Sequence, residues 1–332
     1  MSEPDSDGIC VIIAAKNAAA TIRTAISSAL SQPAVAEVIV VDDGSTDKTA
    51  LVAEGADDGT GRLEVLSLPT NRGPAAARNH AIAHSKAPLI AILDADDFFF
   101  PSRFEAMLRH TEWDFIADNI AFTRHASGPH EPQVFEARAR SLSTVEFIEG
   151  NISRPGSRRG EIGFLKPVMR RSFLDRHDLR YDENLRLGED YDFYLRALVK
   201  GARYTVIEHC GYGAVVRGDS LSSQHRTDDL RRLYQTDIAV RTTAGLPADV
   251  MAALRQHERH IRARYDLRAF LDSKRSGGAA GAIAYVLRHP AAVPAIAAGI
   301  VRDKTPRLGH EPEAAPETGL RYLLPGVPVA QK

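Results

Sequence analysis

Disulfide frameworks are excluded first. The 332 residues hold two cysteines, Cys10 and Cys210, too few to staple a small loop-rich fold and in keeping with a reducing compartment. Both sit in apolar runs, which reads as inert core thiol rather than nucleophile. An excess of one charge is missing as well: 42 basic residues face 43 acidic ones. No long basic run offers a footprint for nucleic acid. No stretch reaches the roughly 18 uninterrupted apolar residues of a spanning helix. The nearest, GGAAGAIAYVLRHPAAVPAIAAGIVRDK, is split by Arg288, His289 and Pro290. It is read as Ala-rich helix packed on the body, with a seat on a membrane surface as the alternative. The acidic opening MSEPDSDG shows no secretory signal pattern, and the expected location is cytoplasmic or peripheral on the inner face of the membrane. No G-x-G-x-x-G follows the first apolar run, which removes the dinucleotide-binding reading.

What is present is a regular beat. ICVIIAA, AEVIVVDD, LEVLSLP, APLIAILD and WDFIAD are short apolar runs, separated by helical spacings such as AATIRTAISSALSQ and GPAAARNHAIAHS. Strands apolar throughout and separated by helices predict an α/β fold, with a mainly parallel central sheet flanked by helices on both faces. Ligands of such sheets bind beyond the carboxyl ends of the strands, where strand order reverses. Ala14, Ala15, Lys16 and Asn17 end the first strand, Asp42 and Asp43 the second, and Asp94 and Asp96 the fourth, so these groups converge on one edge. Beyond residue 118 the pattern loosens into a polar excursion (FTRHASGPHEPQVFEARARSLST), a Gly- and Arg-rich loop (NISRPGSRRGEIG) and a helix opening near Gly188. Helices are predicted from about Thr227, and the last thirty residues read as an extended or disordered tail.

Within LDADDFFFP three carboxylates fall in four positions, and carboxylates this close need a cation, a hydrogen-bonding ligand or solvent. Asp94 and Asp96 share a face of extended chain and would suit Mg²⁺ or Mn²⁺ completed by water and substrate phosphates. In DDGSTDKT, Ser45 or Thr46 could cap the next helix, or Asp42 or Asp43 could accept from a base N–H. LGEDYDFYLRAL puts Glu189 and Asp190 in the first turn of a helix, where acids suit the helix dipole, and Asp192 can pair with Arg196. The same field keeps a carboxylate ionised, as a general base requires. Arg72 and Arg78 in NRGPAAARNHAI lie at the same edge. There they could fork onto a diphosphate or serve as salt-bridge partners.

Together VIIAAKNAAATIRTAISSAL, VIVVDDGSTDKT, NRGPAAARNHAI, ILDADDFFFPSRFE and LRYDENLRLGEDYDFYLRAL resemble the family 2 glycosyltransferases of the GT-A fold, and within them the bacterial exopolysaccharide glucosyltransferases. The resemblance implies a Rossmann-like GT-A domain over 9–225 (nucleotide half 9–117, acceptor half 118–225). Around it come a disordered N-terminus at 1–8, a helical C-terminal extension at 226–302 and the tail at 303–332. It also implies inverting transfer from a UDP-sugar, with UDP-glucose the expected donor, to a saccharide acceptor carried on lipid.

By position, Asp43 would accept from the uracil, Asp94 would face the ribose, and Asp96 would hold Mn²⁺ or Mg²⁺. Arg78 falls near the donor, Asp190 is the base, and Glu189 shapes the acceptor site. Ala14, Lys16 and Ala95 are further candidates around the nucleotide. The family usually has a Pro and an aromatic where this chain has Ala14 and Lys16, so Lys16 is expected to approach phosphate or ribose or to stay solvated. His225, with Arg217, is the candidate late ligand of metal or diphosphate. A haloacid-dehalogenase-type phosphatase would want Thr or Val where Phe98 stands. A non-catalytic sugar-nucleotide-binding scaffold is the rival from another class, and the intact acids count against it.

Overall fold

A computed structural model describes residues 8–124, 132, 134–135, 138–153, 162–216, 226–304 and 319–324. The first four strands are β1 (Ile9–Ala15), β2 (Val35–Asp43), β3 (Leu63–Leu68) and β4 (Leu89–Ile92). Between them run α1 (Ile22–Leu30), α2 (Thr49–Glu54) and α3 (Pro74–His84). These strands pair in parallel in the order β3-β2-β1-β4. β1 and β4 are buried along almost their whole length, as a sheet covered on both faces requires. The register sets Ala15 opposite Asp42 and Ile12 opposite Ile92, so the three strands end together. Strand order reverses between β1 and β4, and the crevice lies at their carboxyl ends.

Past β4 the sheet becomes mixed. β5 (Phe98–Phe99) is followed by α4 (Arg103–Leu108), β6 (Phe115–Thr123), β7 (Ala139–Ser141), α5 (Thr144–Gly150), β8 (Val168–Arg170), α6 (Arg171–Arg176), α7 (Glu189–Val199) and β9 (Tyr204–Val215). β8 runs antiparallel between β4 and β6, β6 pairs in parallel with β9, and β5 and β7 pair antiparallel with β9. The phenylalanines after the acidic cluster therefore form an edge strand as well as packing: Phe98 faces Gly213 and Phe99 faces Tyr212. A Cβ on Gly213 would lie 2.4 Å from the Phe98 ring, so only glycine lets the two strands meet there.

One expectation changes. Neither Ser45 nor Thr46 caps α2. Its N-cap is Lys48 with no side-chain bond, because Ser45 turns its hydroxyl to Asp42 while Asp47 accepts from the Thr49 amide at 3.0 Å. Within the tail, read as extended or disordered, a short stretch is extended. β10 (Arg321–Tyr322) pairs antiparallel with β6, and Asn119 exchanges hydrogen bonds of 2.9 and 2.8 Å with the Leu324 backbone.

The chain forms two compact units, Met1–Gly218 with Ala315–Lys332, and Asp219–Ala314. The second is helical: α8 (Thr227–Arg241), α9 (Ala248–Arg288), which breaks at Gly278, and α10 (Val293–Lys304). α8 and α9 share a buried His257–Asp237 contact of 2.7 Å and an Arg241–Glu258 ion pair of 2.5 Å. Among the described residues no single helix is long and apolar enough to cross a membrane. Cys10 and Cys210 are buried, and burial pushes the Cys10 thiol up to about 12, as expected of inert core thiols.

Candidate active site

Four chain segments deliver charge to the crevice. Asp94 and Asp96 leave β4, Arg78 rises from the middle of α3, Glu189 and Asp190 open α7, and Lys166 precedes β8. α7 begins at Gly188, held in the left-handed region at φ 73°, a conformation glycine adopts without penalty. Its first turn carries Glu189, Asp190 and Asp192, acids on the positive end of the helix dipole. Asp192 is drawn off by Arg196 at 2.6 Å, which leaves Glu189 and Asp190 to the crevice.

Arg78 is 4% exposed and serves three acids. Its Nη1 donates to Asp190 Oδ1 at 2.9 Å and to Glu189 Oε1 at 3.2 Å, and its Nη2 donates to Asp94 Oδ1 at 3.0 Å. Lys166 is buried alongside, its ammonium 2.8 Å from Asp190 Oδ2 and 3.0 Å from Asp94 Oδ2. Both oxygens of Asp94 and both of Asp190 are thus engaged by cations. Burial alone would raise the Asp94 carboxyl, but the Lys166 ammonium and then the Arg78 guanidinium reverse this and hold it at about 2. Burial does raise Glu189, with Arg78 opposing. The arginine expected near the donor is the hub of the acidic cluster. Its neighbour Asn79 stitches α3 to the chain before α7, donating to the Tyr181 carbonyl and accepting from the Tyr181 amide, both at 2.9 Å.

The remaining predicted residues divide. Asp43 accepts from the backbone amides of Arg72 and Gly73 at 2.7 and 2.8 Å, so its carboxylate ties β2 to the start of α3. Lys16 donates to the Gly44 carbonyl and is held against the exit of β2. Ala14 is half-buried and Ala95 buried at the strand ends. Arg72 reaches away to Glu183, an exposed pair at 2.8 Å. Asp97 is buried, accepting from Tyr212 Oη and the Val215 amide, both at 2.8 Å; burial, then Asp94 and Asp96, pushes its carboxyl up. His225 and Arg217 lie outside the described residues.

Lys166 is the residue that pattern reading missed. The signal was a lone lysine inside the apolar run FLKPVM, where a cation is out of place unless acids come to meet it. Among the described residues no group of three or more His, Cys, Asp and Glu side chains could hold an ion, and Asp94 is already taken up by two cations. Among the described residues of the crevice, Asp96 at the exit of β4 is then the candidate for an ion. That suits an ion whose other ligands are water and diphosphate oxygens, the usual manner of Mg²⁺.

A profile of Glycosyl transferase family 2 matches residues 10–176. The chain is 57% identical over 331 residues to succinoglycan biosynthesis protein ExoU of Rhizobium meliloti (strain 1021), covering 97% of each chain. It belongs to glycosyltransferase family 2. Among solved structures, the family 2 protein resembles S. aureus TarS 1-349 in complex with UDP-GlcNAc, with a TM-score of 0.58 and 24% identity over 81% of this chain and 74% of that one. It also resembles the mannosyltransferase PcManGT from Pyrobaculum calidifontis in complex with GDP-Man and Mn²⁺, with a TM-score of 0.50 and 17% identity over 89% and 79%. The family 2 protein has the GT-A fold, with its strand ends and acidic cluster on one crevice.

Proposed function

We propose that this family 2 protein moves a hexose, glucose by expectation, from a UDP-sugar to a hydroxyl of a lipid-linked saccharide during succinoglycan-type exopolysaccharide assembly, with inversion at the anomeric carbon. The observation that carries the reading is Asp190, set at a helix N-terminus between Arg78 and Lys166 and joined through both to Asp94 at the end of β4. A base at one end of the crevice and donor-side acids at the other are what displacement across a sugar ring requires. The acceptor oxygen bonds to the anomeric carbon as the carbon–oxygen bond to the diphosphate breaks. UDP keeps the bonding electron pair, and the acceptor proton passes to Asp190. An α-linked donor gives a β-linked product.

Asp43 and Asp94 would receive the nucleoside, with Ala14, Lys16 and Ala95 lining it, and Glu189 would shape the acceptor side. Asp96, with His225 as its partner, would hold Mn²⁺ or Mg²⁺. Bound there, the ion would neutralise charge on the departing diphosphate. The likeness to a protein named for succinoglycan biosynthesis supports the pathway class. The structural neighbours in complex with UDP-GlcNAc and with GDP-Man and Mn²⁺ support a sugar-nucleotide donor and a metal. We place the enzyme at the cytoplasmic face of the membrane, in peripheral contact with it.

The test is a screen of UDP-sugars for UDP release with Mn²⁺ or Mg²⁺, a lipid extract from exopolysaccharide-producing cells serving as acceptor, alongside thermal stabilisation by UDP plus Mn²⁺. Turnover is expected with one hexose donor, and Asp96→Ala should abolish the metal-dependent part of the stabilisation. Binding without turnover for every donor would make the protein a scaffold.

A further inference from the structure

We propose that Lys166 is a positioning residue for transfer: it aims the Asp190 carboxylate at the acceptor hydroxyl and balances its charge while tying it to the donor-side acid Asp94. This rests on Asp190 being the base.

The geometry separates Lys166 from an ordinary buried ion pair. Arg103 and Asp118 form such a pair, both fully buried in the core, with Arg103 Nη2 2.9 Å from Asp118 Oδ1. Lys166 is also buried, but its two partners stay open to the crevice, Asp190 by 14% and Asp94 by 35%. The lysine is therefore a cation placed behind two carboxylates whose other sides face the ligand. Its backbone is anchored, since Arg103 Nη2 donates to the Lys166 carbonyl at 2.5 Å. Arg103 in turn lies over the Phe99, Phe104 and Tyr212 rings at 4.6, 5.4 and 5.1 Å. The side chain is held between a rigid core and the reacting groups, the arrangement that keeps a base in register.

Charge points the same way. Three carboxylates, Asp94, Glu189 and Asp190, meet two cations, Arg78 and Lys166. The other titratable groups around Asp190 are the buried hydroxyls of Tyr181, Tyr194 and Tyr204, all pushed up by burial and then by Asp190 itself, so they stay neutral. Burial would strip the proton from Lys166, but Asp190 and then Asp94 raise it and keep the ammonium charged. Removing it leaves Asp190 with Arg78 alone, which that arginine shares with two further acids.

The experiment is the pH dependence of kcat for UDP release in Lys166→Met and Lys166→Arg, with Asp190→Asn beside them. An adjacent cation lowers a carboxylate, so Lys166→Met should move the acid limb of the profile up by about one pH unit and lower kcat about ten-fold or more. Lys166→Arg should return the limb to its wild-type position. A raised donor KM with an unmoved limb would make Lys166 a donor-binding residue and overturn the proposal. Turnover retained in Asp190→Asn would instead sink the base assignment beneath it. A thermal double-mutant cycle of Lys166→Met with Asp190→Asn needs no turnover: coupling between the two changes supports the pairing, and additive shifts in midpoint overturn it.

Discussion

Both Asp190 oxygens are occupied, one by Arg78 and one by Lys166, and this shapes what a substitution there does. Asparagine keeps the volume and one acceptor oxygen but cannot take a proton. Asp190→Asn should therefore leave UDP affinity within about threefold while lowering transfer about 10²- to 10⁴-fold, the span of general-base effects. Calorimetry with UDP and a UDP-release assay separate the two. Asp43 and Arg78 show how one side chain can hold the scaffold and face the ligand edge together. Asp43 closes on the Arg72 and Gly73 amides, fixing the start of the helix that carries Arg78. A nucleobase contact by Asp43 would use lone pairs those amides leave over, since each carboxylate oxygen accepts more than once.

At the scale of elements, the exit of β4 is locked to β9 by Asp97, which accepts from Tyr212 Oη and the Val215 amide, while Tyr212 Oη accepts from the Asp94 amide at 3.2 Å. Asp97→Ala would orphan two buried donors at about 1–3 kcal/mol each, and the loop bearing Asp94 and Asp96 would lose its clamp. A lower thermal midpoint and weaker UDP binding are both expected. The Asp97 carboxyl is pushed above its ordinary value by burial, then by Asp94 and Asp96. Its titration thus contributes stability that is complete below about pH 3.8, near the unfolded value, and is lost as pH rises through the folded value. The cost of Asp97→Ala should accordingly be largest in acid and shrink towards neutrality. Unfolding midpoints of both proteins from pH 4 to pH 8 check the sign, and a cost that grows with pH would overturn the reasoning.

At the scale of the molecule, the helices of Asp219–Ala314 form a compact unit of their own. On α9 the apolar Ile283 and Leu287 are exposed four residues apart, and on α10 Val293 and Val301 are exposed eight apart, so each helix shows solvent an apolar stripe. From Ser273 to Val301 the chain carries no Asp or Glu but has Lys274, Arg275 and Arg288. Exposed apolar side chains in a stretch whose formal charges are all basic suit an anionic bilayer surface. The full chain should float with phosphatidylglycerol vesicles and less with phosphatidylcholine. Ile283→Asp with Leu287→Asp should abolish flotation while stabilisation by UDP persists. A dimer in light scattering that the same changes dissolve would assign the face to a protein interface instead.

Sequence alone determined the parallel half of the sheet, its apolar strands and the convergence of Ala15, Asp43 and Asp94 on one edge. A two-residue side-chain period and strand-to-helix alternation are local properties, and five motifs in order carried the family. It also placed Gly188 at the head of α7, because a break before an amphipathic run is a local signal. It could not place β8 between β4 and β6 or return residues 321–322 to β6, because pairing across a sheet depends on partners far apart in the chain. Nor could spacing show Lys166 meeting Asp94 and Asp190, 72 and 24 residues away. The fold buried a lysine and brought the acids to it, because a buried ammonium without carboxylates would lose its proton or leave the core.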